Sequence, residues 1–222
     1  MKDEILSEIK KMPAEKIFLS YMDLISKRES EEIYRLDDPV GEGIMRHTHI
    51  AKGIELVYSE LEYYNPNYQE EKKAVDGLEI MYIVEGHGEF ELQNRKFLSG
   101  EKGDVMIFNT KTAVKKSMLG KSGMNAISII LFPLDTVDFL NEFCGTRDFS
   151  LSNFFNEIKK SESAVAFPCS EFLEKLFLEM IKLPDSFSKY STKLAVVHAI
   201  LLLMRRFNSC DALERNEQPQ AL

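Results

Sequence analysis

The chain has 222 residues, 44% of them hydrophobic, and a net charge of −8 with an isoelectric point near 5.2. That is enough apolar material for one domain with a sizeable core and a smaller helical part. The acidic balance argues against this segment as a DNA-binding unit in itself, because Lys and Arg supply the counterion-release term that dominates binding to phosphate backbones. Cys144, Cys169 and Cys210 have no metal-ligand spacing and read as reduced thiols. The opening MKDEILSEIKK lacks the apolar centre of a secretory signal. The longest apolar run, Leu194 to Met204, falls short of the ~20 residues of a membrane span. Together these features predict a cytoplasmic protein with no membrane partner.

In chain order, the spacing of Ile5, Ile9, Ile17, Phe18, Tyr21, Leu24 and Ile25 predicts helix over 3–27, with Pro13 as a break, and a charged linker at KRESEE. This gives an N-terminal helical arm over 1–32. From 33 to 133 the period changes to two. GIELVYSELEYY alternates over a strand's length, and YNPNYQEEKK is a turn followed by a charged loop. LEIMYIVE and EFELQ are expected as a hairpin about Gly86-His87-Gly88. DVMIFN, TAVKKSM and MNAISIILF follow as further strands, the last two divided by an LGKSG turn. Many short strands at regular spacing argue for an all-β barrel or sandwich rather than β-α-β units.

After Pro133 the pattern is helical through 134–208. Asp135 is the expected N-cap of TVDFLNEF, and LSNFFNEIKK is a short amphipathic piece. SAVAFP is either a last strand or a linker. Pro168 and Ser170 open a helix that buries Phe172, Leu173, Leu176, Phe177, Met180 and Ile181, and Pro184 ends it. The final helix, 186–208, has two apolar stripes and therefore needs two partners. Leu194, Val197, Leu201 and Met204 are assigned to a homodimer seam, although such a seam also serves as core. Residues 209–222 read as a polar tail.

Few residues carry recognisable chemistry. No nucleophile elbow, reactive cysteine setting or phosphate-cradling loop is present. His47 and His49 share a strand face. With only Glu60, Glu62 or Glu79 to nominate as further ligands, they read as the solvent face of an edge strand, with Ile44, Thr48 and Ile50 turned inward or toward a lid. His87 is expected in solvent, and His198 in the core or an interface.

Glu79 and Gly86 resemble part of the first cupin motif, and Gly103-Asp104 the start of the second. The histidines that complete a cupin metal site are replaced by Lys72, Lys73, Ala74, Val75 and Val114. A metal-free site with no cofactor is therefore expected. Taken together, GEGIMRHTHIAKGIELVYSELEY, LEIMYIVEGHGEFEL, LSGEKGDVMIFN, SIILFPLDTVDFL and the helices over 170–208 resemble the N-terminal effector-binding and dimerisation domain of AraC-family transcription regulators. The resemblance implies an α+β fold: a cupin-like, jelly-roll type β-barrel over 33–133 followed by a helical dimerisation segment. It implies a bacterial sensor of a small-molecule effector, not an enzyme, that acts as a homodimer. DNA binding is implied only through a C-terminal domain absent from this sequence.

Strand parity then nominates Glu79, Met81 and Ile83, with Phe90 and Leu92 on the paired strand and Tyr58 nearby, as ligand-binding residues. The alternative is that they simply fill a small barrel. Two other functions are weighed against the sensor: a stand-alone cupin-fold enzyme, isomerase-like and metal-free, and a regulator acting by heterodimerisation with a longer relative.

Overall fold

The computed structural model describes residues 23–28, 31–38, 41–63, 77–92, 97–109, 114–145, 151, 154, 156, 158, 164–181 and 188–216. Nine strands form one antiparallel sheet: β1 (Asp23–Lys27), β2 (Glu31–Asp38), β3 (Gly41–Ala51), β4 (Ile54–Tyr63), β5 (Leu78–Leu92), β6 (Phe97–Glu101), β7 (Asp104–Asn109), β8 (Val114–Leu131) and β9 (Ala164–Pro168). Among the described residues the continuous helices are α1 (Pro133–Cys144), α2 (Glu171–Met180) and α3 (Ser188–Asn216). The strands are ordered β1-β2-β3-β4-β8-β5-β7-β9, with β6 on β5, and the path does not close on itself. Among the described residues, no helix is long and apolar enough to cross a membrane.

Several expectations need correction. The helix expected over 3–27 falls outside the described residues up to 22, and its last part, Asp23–Lys27, is a strand paired with β2. Its apolar residues Leu24 and Ile25 are exposed, so the helical spacing there reported no buried face. The expected hairpin at Gly86-His87-Gly88 is instead a bend within one strand. β5 runs unbroken from Leu78 to Leu92 and pairs with β8 along its length, with bulges between Ile83 and Glu85 and between Gly86 and Gly88. In the same way the described part of TAVKKSM, from Val114, and MNAISIIL are one strand, β8, through the expected LGKSG turn. Positive φ at Gly86 (87°) and Gly123 (74°) gives the backbone the freedom that a hairpin would also have used, and here it bends paired strands without parting them.

The bend decides which side chains meet. Ile83 and Phe90 would lie on opposite faces of a regular strand. The bulges shift parity, so Met81, Ile83, Phe90 and Leu92 share one cluster with Met106, Phe108, Met124 and Ala126. Phe90 and Phe108 meet edge to face with centroids 5.1 Å apart. The opposite face carries the larger core. Leu78, Ile80 and Tyr82 of β5 and Ile127 and Ile129 of β8 pack against Phe177 of α2 and Val196, Ile200 and Leu203 of α3.

Helix boundaries follow local chemistry. α1 starts three residues earlier than expected. Phe132 occupies its N-cap position without a side-chain cap, and Pro133 takes the first turn, where a missing N–H costs nothing. Thr136 of that turn donates to the Gly53 carbonyl at 2.7 Å and Lys52 pairs with Asp135 at 2.8 Å, which fixes α1 to the β3–β4 turn. Ser170 caps α2, its hydroxyl accepting from the Leu173 N–H. SAVAFP supplies β9, which pairs with β7. α3 continues to Asn216, beyond the expected end at 208 and into the expected polar tail.

Candidate functional site

A cavity of about 490 Å³ lies on the helix-bearing face, between β3 and β4 below and the start of α3 above. Antiparallel pairing puts Arg46 opposite Tyr58 and Thr48 opposite Leu56, so these side chains and Ile50 form one floor. Met180 and Ile181, at the end of α2, close one side. Lys189, Tyr190, Thr192 and Lys193 reach in from α3, and Glu31 and His49 complete the rim.

The cavity is apolar within and mainly cationic at its edge. The Arg46 guanidinium lies over the Tyr58 ring at 4.7 Å, and Lys193 Nζ over the Phe139 ring at 4.8 Å. Burial pushes the Tyr58 hydroxyl above its ordinary range, as does Glu60, while Arg46 opposes the shift. Tyr58 therefore stays protonated at neutral pH and can donate a hydrogen bond.

The other face carries a polar strip. Cross-strand pairing aligns His49, Glu55, Ile130 and Glu79 in one row and His47, Val57, Ser128 and Met81 in the next. His49 Nδ1 lies 2.8 Å from Glu55 Oε1. His47 Nε2 lies 3.2 Å from Glu55 Oε2, within ion-pair range but poorly aligned, and that oxygen has no hydrogen-bond partner. Glu32 approaches His47 from β2 at 3.8 Å and accepts from the Tyr34 hydroxyl at 2.5 Å. Its pairing with Lys27, then that hydroxyl, holds the Glu32 carboxyl below the usual range. Ser128 donates to Glu79 at 2.8 Å.

The nominated ligand-binding residues thus divide. Tyr58 lines the cavity. Met81, Ile83, Phe90 and Leu92 pack against one another on the far face, and Glu79 sits beside them, satisfied by Ser128. The histidine reading is corrected: β3 lies between β2 and β4 rather than at an edge, and His47 is buried against Glu55. Thr48 and Ile50 do turn toward a lid, the start of α3, whereas Ile44 is exposed. His87 is partly exposed beside Glu89. His198 is exposed rather than buried, its ring against Phe172 at 5.3 Å. Glu60 and Glu62, nominated as metal ligands, line a separate polar groove with Glu42, Glu85 and Arg35. Among the described residues, no group of three His, Cys, Asp or Glu side chains is arranged to hold a metal ion.

The nominated dimer residues also divide. Val197 and Met204 are buried in the chain's own core, Leu201 is half-buried and Leu194 is exposed. Sequence reasoning missed Arg46, Lys189 and Lys193. Arg46 precedes His47 and takes the opposite face by strand alternation, which is a signal that was available.

The sequence matches no protein-family model and no curated protein. Solved structures do resemble the fold. The AraC-like transcriptional activator CuxR matches with a TM-score of 0.52 at 10% identity, over 80% of this chain and 61% of that one. An apo variant of ToxT from Vibrio cholerae matches at 0.49 and 12% identity, over 70% and 57%. Wild-type ToxT bound to an unsaturated fatty acid matches at 0.45 and 12% identity, over 82% and 58%. The chain has the fold of the corresponding part of an AraC-like regulator. It spans about three fifths of the length of these proteins.

Proposed function

We propose that this chain is the effector-binding and dimerisation domain of an AraC-type bacterial transcription regulator, working in the cytoplasm as a sensor rather than a catalyst. On this reading the bent sheet is a cupin-like barrel without a metal. Glu79, Met81, Ile83, Phe90 and Leu92 form its interior, and a small molecule binds where Tyr58 lies. DNA binding belongs to a further domain of the regulator. The likeness to CuxR over most of the chain supports this.

The observation that carries the reading is the placement of α3. Its first turns line the cavity with Lys189, Tyr190, Thr192 and Lys193, while Leu194 and His198 stand exposed on the same helix. A molecule in the cavity and a second chain on the exposed face would then both act on one helix. Any ligand that prefers one placement of α3 shifts the dimer equilibrium by its differential affinity.

The test is a chimera in which this chain precedes a monomeric DNA-binding domain that represses a reporter only as a dimer. The expected result is repression that depends on this chain and changes with an added effector. Repression no better than the unfused DNA-binding domain, with a monomer in light scattering, would remove the proposal.

A further inference from the structure

Glu31 lines the cavity and is only 8% exposed. Among the described residues, its side chain has neither a hydrogen bond nor an ion pair. A buried carboxylate in that state has given up water and gained nothing in exchange. The strand register brings a cation close to it. Glu31 stands opposite Thr48 and Ile33 opposite Arg46, while Thr48 and Arg46 face Leu56 and Tyr58 on the other side. Glu31 and Arg46 are therefore diagonal neighbours on one face of the sheet, within reach of long side chains. Among the described residues they form no ion pair, and the Arg46 guanidinium lies over the Tyr58 ring instead. Two opposite charges are thus held apart across the floor of one cavity.

These charges select among ligands. A plain carboxylate at Arg46 leaves Glu31 buried, unpaired and beside a like charge. A plain amine at Glu31 is repelled by Arg46, Lys189 and Lys193, which border the same cleft. A zwitterion meets both charges and adds no net charge of its own. Resting on the sensor reading above, we infer that this cleft binds a free α-amino acid with an apolar side chain. The ammonium donates to Glu31 and Thr48, the carboxylate accepts from Arg46 and the Tyr58 hydroxyl, and the side chain lies against Ile50, Leu56 and Met180. Arg46 offers a planar fork suited to a carboxylate. Glu31 is the specificity-determining group, because it separates an amino acid from the acid that lacks the amine. The cavity volume falls in the range of small-molecule sites, roughly 300–1,000 Å³.

The experiment is calorimetric titration of the purified full chain with L-phenylalanine and L-leucine. Each is run beside its deaminated acid (phenylpropanoate, isocaproate) and its decarboxylated amine (phenethylamine, isoamylamine). At least one amino acid is expected to bind at least about ten-fold more tightly than both of its analogues. Glu31→Gln should weaken that amino acid at least about five-fold and erase the preference over the deaminated acid. Arg46→Gln should weaken it similarly and erase the preference over the amine. A Phe97→Ala control at an exposed position on β6 should change neither. Binding of the deaminated acid or of the amine as tight as that of the amino acid would overturn the inference, whatever the variants do. So would the absence of binding by every probe, or preferences untouched by both Gln variants with their folds intact by circular dichroism. A chimera that still responds to a different effector would leave the sensor reading standing while this inference fails.

Discussion

Tyr82 of β5 donates its hydroxyl to Glu174 of α2 at 2.8 Å, and its ring stacks on Phe177 with centroids 4.9 Å apart and planes 11° from parallel. One side chain thereby joins the sheet to the helical layer by both a polar and an apolar contact. Tyr82→Phe keeps the stack and loses the hydrogen bond, so it should cost about 1–2 kcal/mol in urea denaturation. Burial, then the Glu174 carboxylate, hold the hydroxyl well above its usual value of 10.0. A raised folded value means that this contribution is fully present below the unfolded value and is lost as pH rises toward the folded one. The stability gap between wild type and Tyr82→Phe should therefore stay constant up to pH 10 and narrow above it. A gap that opened on the acidic side would refute the assignment.

The bend in β5 and β8 makes a second prediction. A Cβ added at Gly86, where φ is 87°, would meet the Gly123 carbonyl oxygen at 2.2 Å and Met124 Cα at 3.0 Å. Both obstacles are backbone and cannot swing aside. Gly86→Ala should lose at least about 2 kcal/mol, from strain and overlap together. Gly103 has a similar φ of 91° with nothing within 4 Å of the added atom, so Gly103→Ala should lose about 1 kcal/mol from strain alone. Denaturation midpoints at unchanged slope separate the two, and equal losses would mean that the close approach at Gly86 is not real.

His47 and His49 share Glu55 but differ in burial, their side chains being 7% and 56% exposed against 5% for the carboxylate. Removing a buried partner strands the other charge, whereas an exposed one is replaced by water. His47→Ala should cost about 3 kcal/mol and His49→Ala less than about 1 kcal/mol by the same assay. The reverse order would show that His47 is not Glu55's buried support.

The cysteines give a chemical readout. Burial, and after it Glu174, push the Cys169 thiol up to about 12 against the opposing pull of Arg206. Cys144 is exposed. Iodoacetamide at pH 8, followed by peptide mapping, should label Cys144 at least about 100-fold faster than Cys169, because the thiolate is the reacting form. The Cys169 rate should keep rising toward pH 12. Comparable rates at pH 8 would contradict the half-buried setting of Cys169 near Glu174 and Arg206.

Within α3, adjacent positions should separate assembly from folding. Leu194 is 57% exposed and Val197 2%. If the exposed face is the dimer surface, Leu194→Glu should give a folded monomer by light scattering. Val197→Ala should leave the dimer and cost about 2 kcal/mol in stability. A Leu194→Glu protein that remains dimeric would move the interface elsewhere.

These contrasts also show what the amino-acid pattern could carry. Alternation marked β4, β7 and the outer halves of β5 and β8, and Ser170 marked the start of α2, because each signal is local. Strand continuity through Gly86 was not legible, since glycine at positive φ serves a hairpin and a bulge equally well. The position of the cavity was hidden for another reason. β4 buries Ile54 and Leu56 on one face and Val57 and Leu61 on the other, so alternation alone cannot say which face carries the helices. The burial of His47 depended on Glu55 across the hairpin, a pairing set by the register at Lys52-Gly53 rather than by any nearby residue. Val197 and Met204 of the dimer stripe lie in the chain's own core, and the pattern could not separate them from an interface because a seam and a core face have the same period.

α3 has 29 residues and is therefore about 43 Å long at 1.5 Å per residue. One end rests on the cavity and the other, at Asn216, lies most of that length away. On the sensor reading proposed above, the helix would act as a lever with its short arm at the cleft and its pivot at the core contacts of Val196, Ile200 and Leu203. A tilt of about 5° at Lys189 would carry the far end through roughly 4 Å, a displacement of the size that repacks interfaces. On that same reading, a contact change too small to register in the sheet would be magnified along the rod into a larger step at its far end.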